Sequence, residues 1–158
     1  LSEIPPPVTF IIGIGNLLRR DDGVGLVVAR KLRDRLPPGT AVYECAADLT
    51  DLALWLPRCE RALIVDAATG LAPGQIKRLD VHKDALPSRP STSSHAMSLA
   101  QAVALAQALS SLPKHLALYA IGAYELGFGE GLSPALAAAA DQVVAQILAE
   151  LAAPQSPL

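Results

Sequence analysis

The chain has 158 residues, 13 basic and 15 acidic side chains, a net charge of −2, and 51% apolar residues with only 4% aromatics. That length suits one domain with a sizeable core, built mostly from Ala, Leu, Val and Ile. The charge balance gives no global case for a phosphate-backbone partner, so nucleic acid is not expected.

In chain order, Val8–Ile14 (VTFIIGI) is β-branched and almost continuously apolar, which predicts a strand buried on both faces, as in a parallel sheet. Gly23–Arg35 places Val24, Val27, Val28 and Leu32 at helical spacing among charged Arg30, Lys31, Arg33, Asp34 and Arg35, an amphipathic helix stopped by Pro37-Pro38-Gly39. Thr40–Cys45 reads as a second short strand. Asp48 or Thr50 can cap a helix over Asp51–Leu56 that stops near Pro57. Ala62–Asp66 (ALIVD) is a third buried strand. Gln75–Val81 alternates, as a half-exposed edge strand does. Asp84–Ser94 is a Pro/Ser-rich loop, in which Ser93 and Ser94 can cap a helix from about His95 to Ser110. His115–Gly122 is the last strand, Tyr124–Gly131 a Gly-rich loop, and Ser133-Pro134 the start of a final helix to about Leu151.

Strands alternating with helices predict an α/β fold with a mostly parallel sheet covered on both faces. No internal repeat or linker interrupts it, so one domain is expected over residues 8–151, with 1–7 and 152–158 as flexible termini. Ser91–Pro113 carries no charged residue, but Ser, Gln and His interrupt it. It predicts a buried or partner-facing helix, not a membrane span. LSEIPPPV lacks the pattern of a signal peptide, and Cys45 and Cys59 form no CxxC pair; the expected compartment is the cytoplasm. No heptad pattern is visible, so a monomer is expected.

Ligands of such sheets bind beyond the carboxyl ends of the strands. The loop after Ile14, Asp66 and the loop after Gly122 would then share one crevice. Gly13-Ile14-Gly15 starts like a dinucleotide fingerprint, but Leu18 stands where its third glycine belongs, and Asp21 and Asp22 follow where amide donors would be needed. Those two acids are either helix-capping groups or ligands. Capping needs one, and a second adjacent carboxylate adds repulsion unless a cation or donor compensates it. Asp66 is either a loop-forming acid or a site residue. His95 falls in the first turn of its predicted helix, where the macrodipole disfavours imidazolium and leaves the neutral ring that a metal needs; its alternative is a structural role. His82 and His115 have weaker claims. Together Asp22, Asp66 and His95 supply two oxygens and a nitrogen, a set that suits Zn²⁺, Ni²⁺ or Mn²⁺ without choosing among them.

The ordered set Gly13-Ile-Gly-Asn16, Asp21-Asp22-Gly23-x-Gly25, Asp66 ending a strand, Ser94-His95 and Gly131-Leu-Ser-Pro134 resembles the hydrogenase maturation endopeptidases, over roughly Phe10 to Leu151. The resemblance implies a three-layer α/β/α sandwich around a twisted five-stranded sheet. It also implies a nickel-dependent processing endopeptidase that removes a C-terminal extension from the large subunit of a [NiFe] hydrogenase after nickel insertion. The family's metal contacts fall on Asp22, Asp66 and His95, and these are the candidate catalytic residues too. The implied nickel arrives with the substrate, to position the scissile bond and polarise a water for attack, and the isolated protein is expected to hold no metal of its own. The implied partner is the precursor large subunit. Two segments depart from the family pattern. Cys45-Ala-Ala-Asp48-Leu-Thr50 stands where many relatives carry a glycine-rich loop, and Gly122-Ala-Tyr-Glu125 where many have an acid following Ile-Gly or Ile-Gln-Pro. Both bear on substrate contacts.

Two other readings compete. Gly13-Ile-Gly-Asn16 is similar to the start of peptidyl-tRNA hydrolases, although Leu17-Leu18 replaces their Pro-Gly. The charge-free helix around Met97–Leu109 would suit a non-catalytic docking module.

Overall fold

The computed structural model describes residues 8–46, 48–90 and 97–153. Five strands, β1 (Thr9–Ile14), β2 (Thr40–Cys45), β3 (Arg61–Ala68), β4 (Ile76–Asp80) and β5 (His115–Gly122), form one sheet in the order β2-β1-β3-β5-β4. The first four of these lie parallel, and β4 pairs antiparallel on the edge beside β5. The helices are α1 (Val24–Leu32), α2 (Asp51–Trp55), α3 (Leu99–Leu109) and α4 (Pro134–Ala152).

The period-two alternation of each strand divides the core into two layers. Phe10, Ile12 and Ile14 of β1, with Ala62 and Ile64 of β3, pack on one face against Leu52 of α2 and Leu99, Ala102 and Ala106 of α3. Ile11, Leu63 and Val65 point the other way, against Val24, Val28 and Leu32 of α1 and Val143, Val144 and Ile147 of α4. The result is the expected three-layer α/β/α sandwich. Strands β1, β3 and β5 are apolar on successive residues because helices cover them on both sides. Close approach of α1 to the sheet needs Gly25. A Cβ there would lie 2.2 Å from the Ile14 carbonyl oxygen and 2.3 Å from that of Val65. The glycine pattern at the first loop thus has a packing cause that requires no nucleotide.

Several local expectations are corrected. The chain enters α1 through a 3-10 turn, Arg20–Gly23, and α1 ends at Leu32, short of Arg35. β3 continues past Asp66 to Ala68, because Asp66, Ala67 and Ala68 go on pairing with Ala120, Ile121 and Gly122. Neither Asp48 nor Thr50 caps α2; Asp48 instead accepts the Thr50 N–H at 2.9 Å and its hydroxyl at 2.7 Å. Helix α3 starts at Leu99, later than the expected start near residue 95. Its cap is Ser98, which accepts the Gln101 N–H while the Gln101 side chain accepts the Ser98 N–H, a reciprocal capping box. Ser93, Ser94 and His95 lie outside the described residues.

By length and composition α4 is apolar enough to cross a membrane. It buries Leu136, Ala139, Ala140, Val143, Val144 and Ile147 against the sheet and α1, as a core helix does. Its far end is tied to the edge of the sheet. Arg78 of β4 donates to Glu150 from Nε at 2.8 Å and from Nη2 at 2.9 Å, and the buried Tyr119 hydroxyl donates to Glu150 as well.

Candidate active site

The chain crosses from β2 over β1 to β3, so the gap between β1 and β3 is the topological switch point of the sheet. Crevices of this fold class open there, beyond the carboxyl ends of the strands. The turn Arg20–Gly23 follows β1 and packs against β3. It carries Asp21 and Asp22, both buried. Gly15 allows the turn to fold back, since a Cβ on it would lie 2.1 Å from the Asp22 carbonyl oxygen.

The two adjacent acids have different surroundings. Asp21 accepts four hydrogen bonds: from the N–H groups of Tyr124 at 3.0 Å, Glu125 at 2.7 Å and Ser133 at 2.7 Å, and from the Ser133 hydroxyl at 2.8 Å. Its own N–H donates to the Glu125 carbonyl at 2.9 Å. Asp21 is therefore a clamp between the first loop and the segment leading into α4. Ser133, expected to cap α4, makes no side-chain cap bond and spends its hydroxyl on Asp21 instead. The capping reading of the acid pair fails as well, because no side chain caps the turn or α1.

Asp22 has no such set of partners among the described residues. Among the described residues, Oδ1 of Asp22 and Oδ1 of Asp66 are buried oxygens without a hydrogen-bond partner. A buried oxygen left so costs free energy unless a donor or cation meets it. Burial pushes the Asp22 carboxyl above its ordinary range, against the pull of the Arg89 and Arg19 guanidinium groups. Burial also drives Asp66 up to about 7; Arg89 pulls it down, and the charge of Asp22 pushes it further up. The charge of Asp22 thus bears on Asp66, and the one guanidinium of Arg89 bears on both.

Arg89 was not singled out from the sequence. Its Nε donates to Oδ2 of Asp66 at 2.6 Å, with side-chain exposures of 10% and 2% for the two partners. A signal was present, since Arg89 is the only Asp, Glu, Lys or Arg between Asp84 and Lys114. Arg19, the other cation acting on Asp22, donates from Nη2 to the Leu126 carbonyl at 3.1 Å.

The remaining candidates fall elsewhere. His82 bonds through Nε2 to the Pro113 carbonyl at 2.8 Å, and His115 begins β5 at the opposite end of the sheet. Cys45 and Cys59 are free and buried, and burial pushes both thiols up to about 11. Neither is a thiolate nucleophile at neutral pH. Among the described residues no cluster of three His, Cys, Asp or Glu side chains is placed to hold a metal ion. What the described residues do offer a divalent ion is two hard oxygen donors, Oδ1 of Asp22 and Oδ1 of Asp66, each lacking a partner. That donor pair fits such an ion.

In the two segments that depart from the expected pattern, the Cys45 thiol donates to the Asp48 carbonyl at 3.1 Å, and Glu125 pairs with Arg20 at 2.5 Å on the surface. Arg20 holds a left-handed backbone, φ 47°, uncommon outside glycine, and its N–H donates to the Gly129 carbonyl at 3.1 Å.

The family model for hydrogenase maturation proteases matches residues 28–150. The chain is 30% identical over 153 residues to the hydrogenase expression/formation protein HupM of Azotobacter chroococcum, covering 92% of this chain and 72% of that one. Its fold superposes on the [NiFe] hydrogenase maturation protease HybD from Thermococcus kodakarensis with a TM-score of 0.68 at 27% identity, over 92% of this chain and 99% of the other. On the hydrogenase maturating endopeptidase HybD from E. coli the TM-score is 0.76 at 23% identity, over 90% and 91%. A model that spans most of the chain, together with an α/β/α sandwich shared over nearly its full length, places this protein in the hydrogenase maturation protease family.

Proposed function

We propose that this protease removes a C-terminal extension from the precursor large subunit of a [NiFe] hydrogenase after nickel has entered that subunit, and that nickel arrives as part of the substrate. Asp22, Asp66 and His95 are the side chains proposed to contact it. The observation that carries this reading is the pair of buried oxygens, Oδ1 of Asp22 and Oδ1 of Asp66, that have no hydrogen-bond partner among the described residues, at the switch point of the sheet. Asp21, beside them, has its acceptors filled by the fold. Two carboxylates would offset the charge of a divalent ion already seated in the precursor and so fix the scissile peptide against the crevice. The proposed enzyme works as a monomer in the cytoplasm, where the free, buried Cys45 and Cys59 stay reduced.

The test is incubation with unprocessed large subunit, nickel-loaded or nickel-free, read by intact mass. A C-terminal peptide should be lost from the loaded precursor alone, and Asp22→Ala and His95→Ala should each abolish the loss. Equal cleavage of nickel-free precursor, or full activity in both variants, would refute the reading.

A further inference from the structure

We propose that Arg89 is a specificity-determining residue. It is the resident counter-charge of the acid pair, and it disfavours free divalent ions relative to an ion whose charge the substrate's own ligands have already offset. The inference rests on the reading of Asp22 and Asp66 as metal contacts.

The position of Arg89 and the electrostatics around it both bear on this role. Arg89 takes Oδ2 of Asp66 through Nε at 2.6 Å, and among the described residues Oδ1 of that carboxylate has no hydrogen-bond partner. The same guanidinium acts on Asp22 as well as on Asp66. Both members of the ion pair are nearly removed from water, at 10% and 2% side-chain exposure, so solvent screens this charge weakly. Arginine does not lose its proton in proteins, so the positive charge is permanent.

The formal charge of Asp22, Asp66 and Arg89 together is one negative unit, where two bare acids would carry two. A free divalent ion entering the site meets that single negative unit and is repelled by a guanidinium a few ångströms away. An ion that brings anionic ligands from a protein substrate meets less of that repulsion, because its own charge has been offset. Removing Arg89 has two opposed effects on a free ion. It lifts the repulsion, and it frees Asp66 to turn away. The charge effect on a divalent ion at this range exceeds the worth of one hydrogen bond, so the net effect is tighter binding.

The experiment is calorimetric titration of the full chain with cadmium chloride near pH 8, for the wild type, Arg89→Gln, Arg89→Lys, Asp22→Asn and the double variant Arg89→Gln/Asp22→Asn. Thermal melts establish that each variant is folded. Arg89→Gln should bind cadmium about tenfold or more tightly than the wild type. Arg89→Lys, which keeps the charge, should stay near the wild-type affinity, and the double variant should lose the gain. If Arg89→Gln binds no tighter while Asp22→Asn still weakens wild-type binding, the role of Arg89 is overturned and the acid site stands. A Lys variant that binds as tightly as the Gln variant would also overturn it, since charge would not be the cause. Cadmium binding indifferent to Asp22 in every chain would overturn the acid site and the inference together.

Discussion

Replacing Asp21 by Asn exchanges one of two accepting oxygens for an N–H donor that must face other donors. The carboxylate accepts at both oxygens, so no orientation of the amide preserves all four bonds. The expected cost is about 2–3 kcal/mol of unfolding free energy, measurable by urea denaturation. Asp22→Asn, one residue later, should change stability by less than about 1 kcal/mol, because among the described residues its buried Oδ1 has no hydrogen bond to lose. Equal losses in the two variants would contradict the division of roles. Asp66 adds a pH signature. Its folded carboxyl titrates at about 7, above the 3.8 of an unfolded chain, so the folded state retains a proton that the unfolded state has lost between those values. The stabilisation is full below about pH 4 and is lost as pH rises through about 7. Asp66→Asn, which mimics the protonated form, should therefore melt higher than the wild type near pH 8. That advantage should vanish near pH 4, as two calorimetric scans would show.

At the scale of elements, the best-read pieces are those whose burial pattern has one solution. β2 and β5 begin and end where the pattern TAVYEC and the run HLALYAIG place them, and α4 starts at Pro134 as expected. The start of α3 was misplaced because Ser93, Ser94 and Ser98 are all chemically able to cap. Only the reciprocal bond with Gln101 singles out Ser98. Ser98→Ala should cost about 1 kcal/mol and raise hydrogen exchange at the first amides of α3 while leaving α4 protected. Two features of the site have no physical derivation from the sequence, the choice of Asp22 over Asp21 resting there on the family resemblance. Asp21 and Asp22 are equivalent until Tyr124, Glu125 and Ser133 are placed around one of them. The pairing of Arg89 with Asp66 depends on the path of a loop, which composition does not determine.

At the scale of the molecule, four parallel strands, two helical layers and a switch point between β1 and β3 follow from alternating apolar segments and short connections. The positions of Asp22 and Asp66 beside that point were legible for the same reason. The clamp built on Asp21 has a consequence for how the protein is born. On the ribosome, β1 and the acid turn emerge before Tyr124, Glu125 and Ser133, whose groups satisfy Asp21. Until then the turn carrying Asp22 lacks its anchor. A nascent or prematurely terminated chain that stops before Ser133 should be an inert polypeptide rather than a weaker protease, because proteolytic competence waits for that segment.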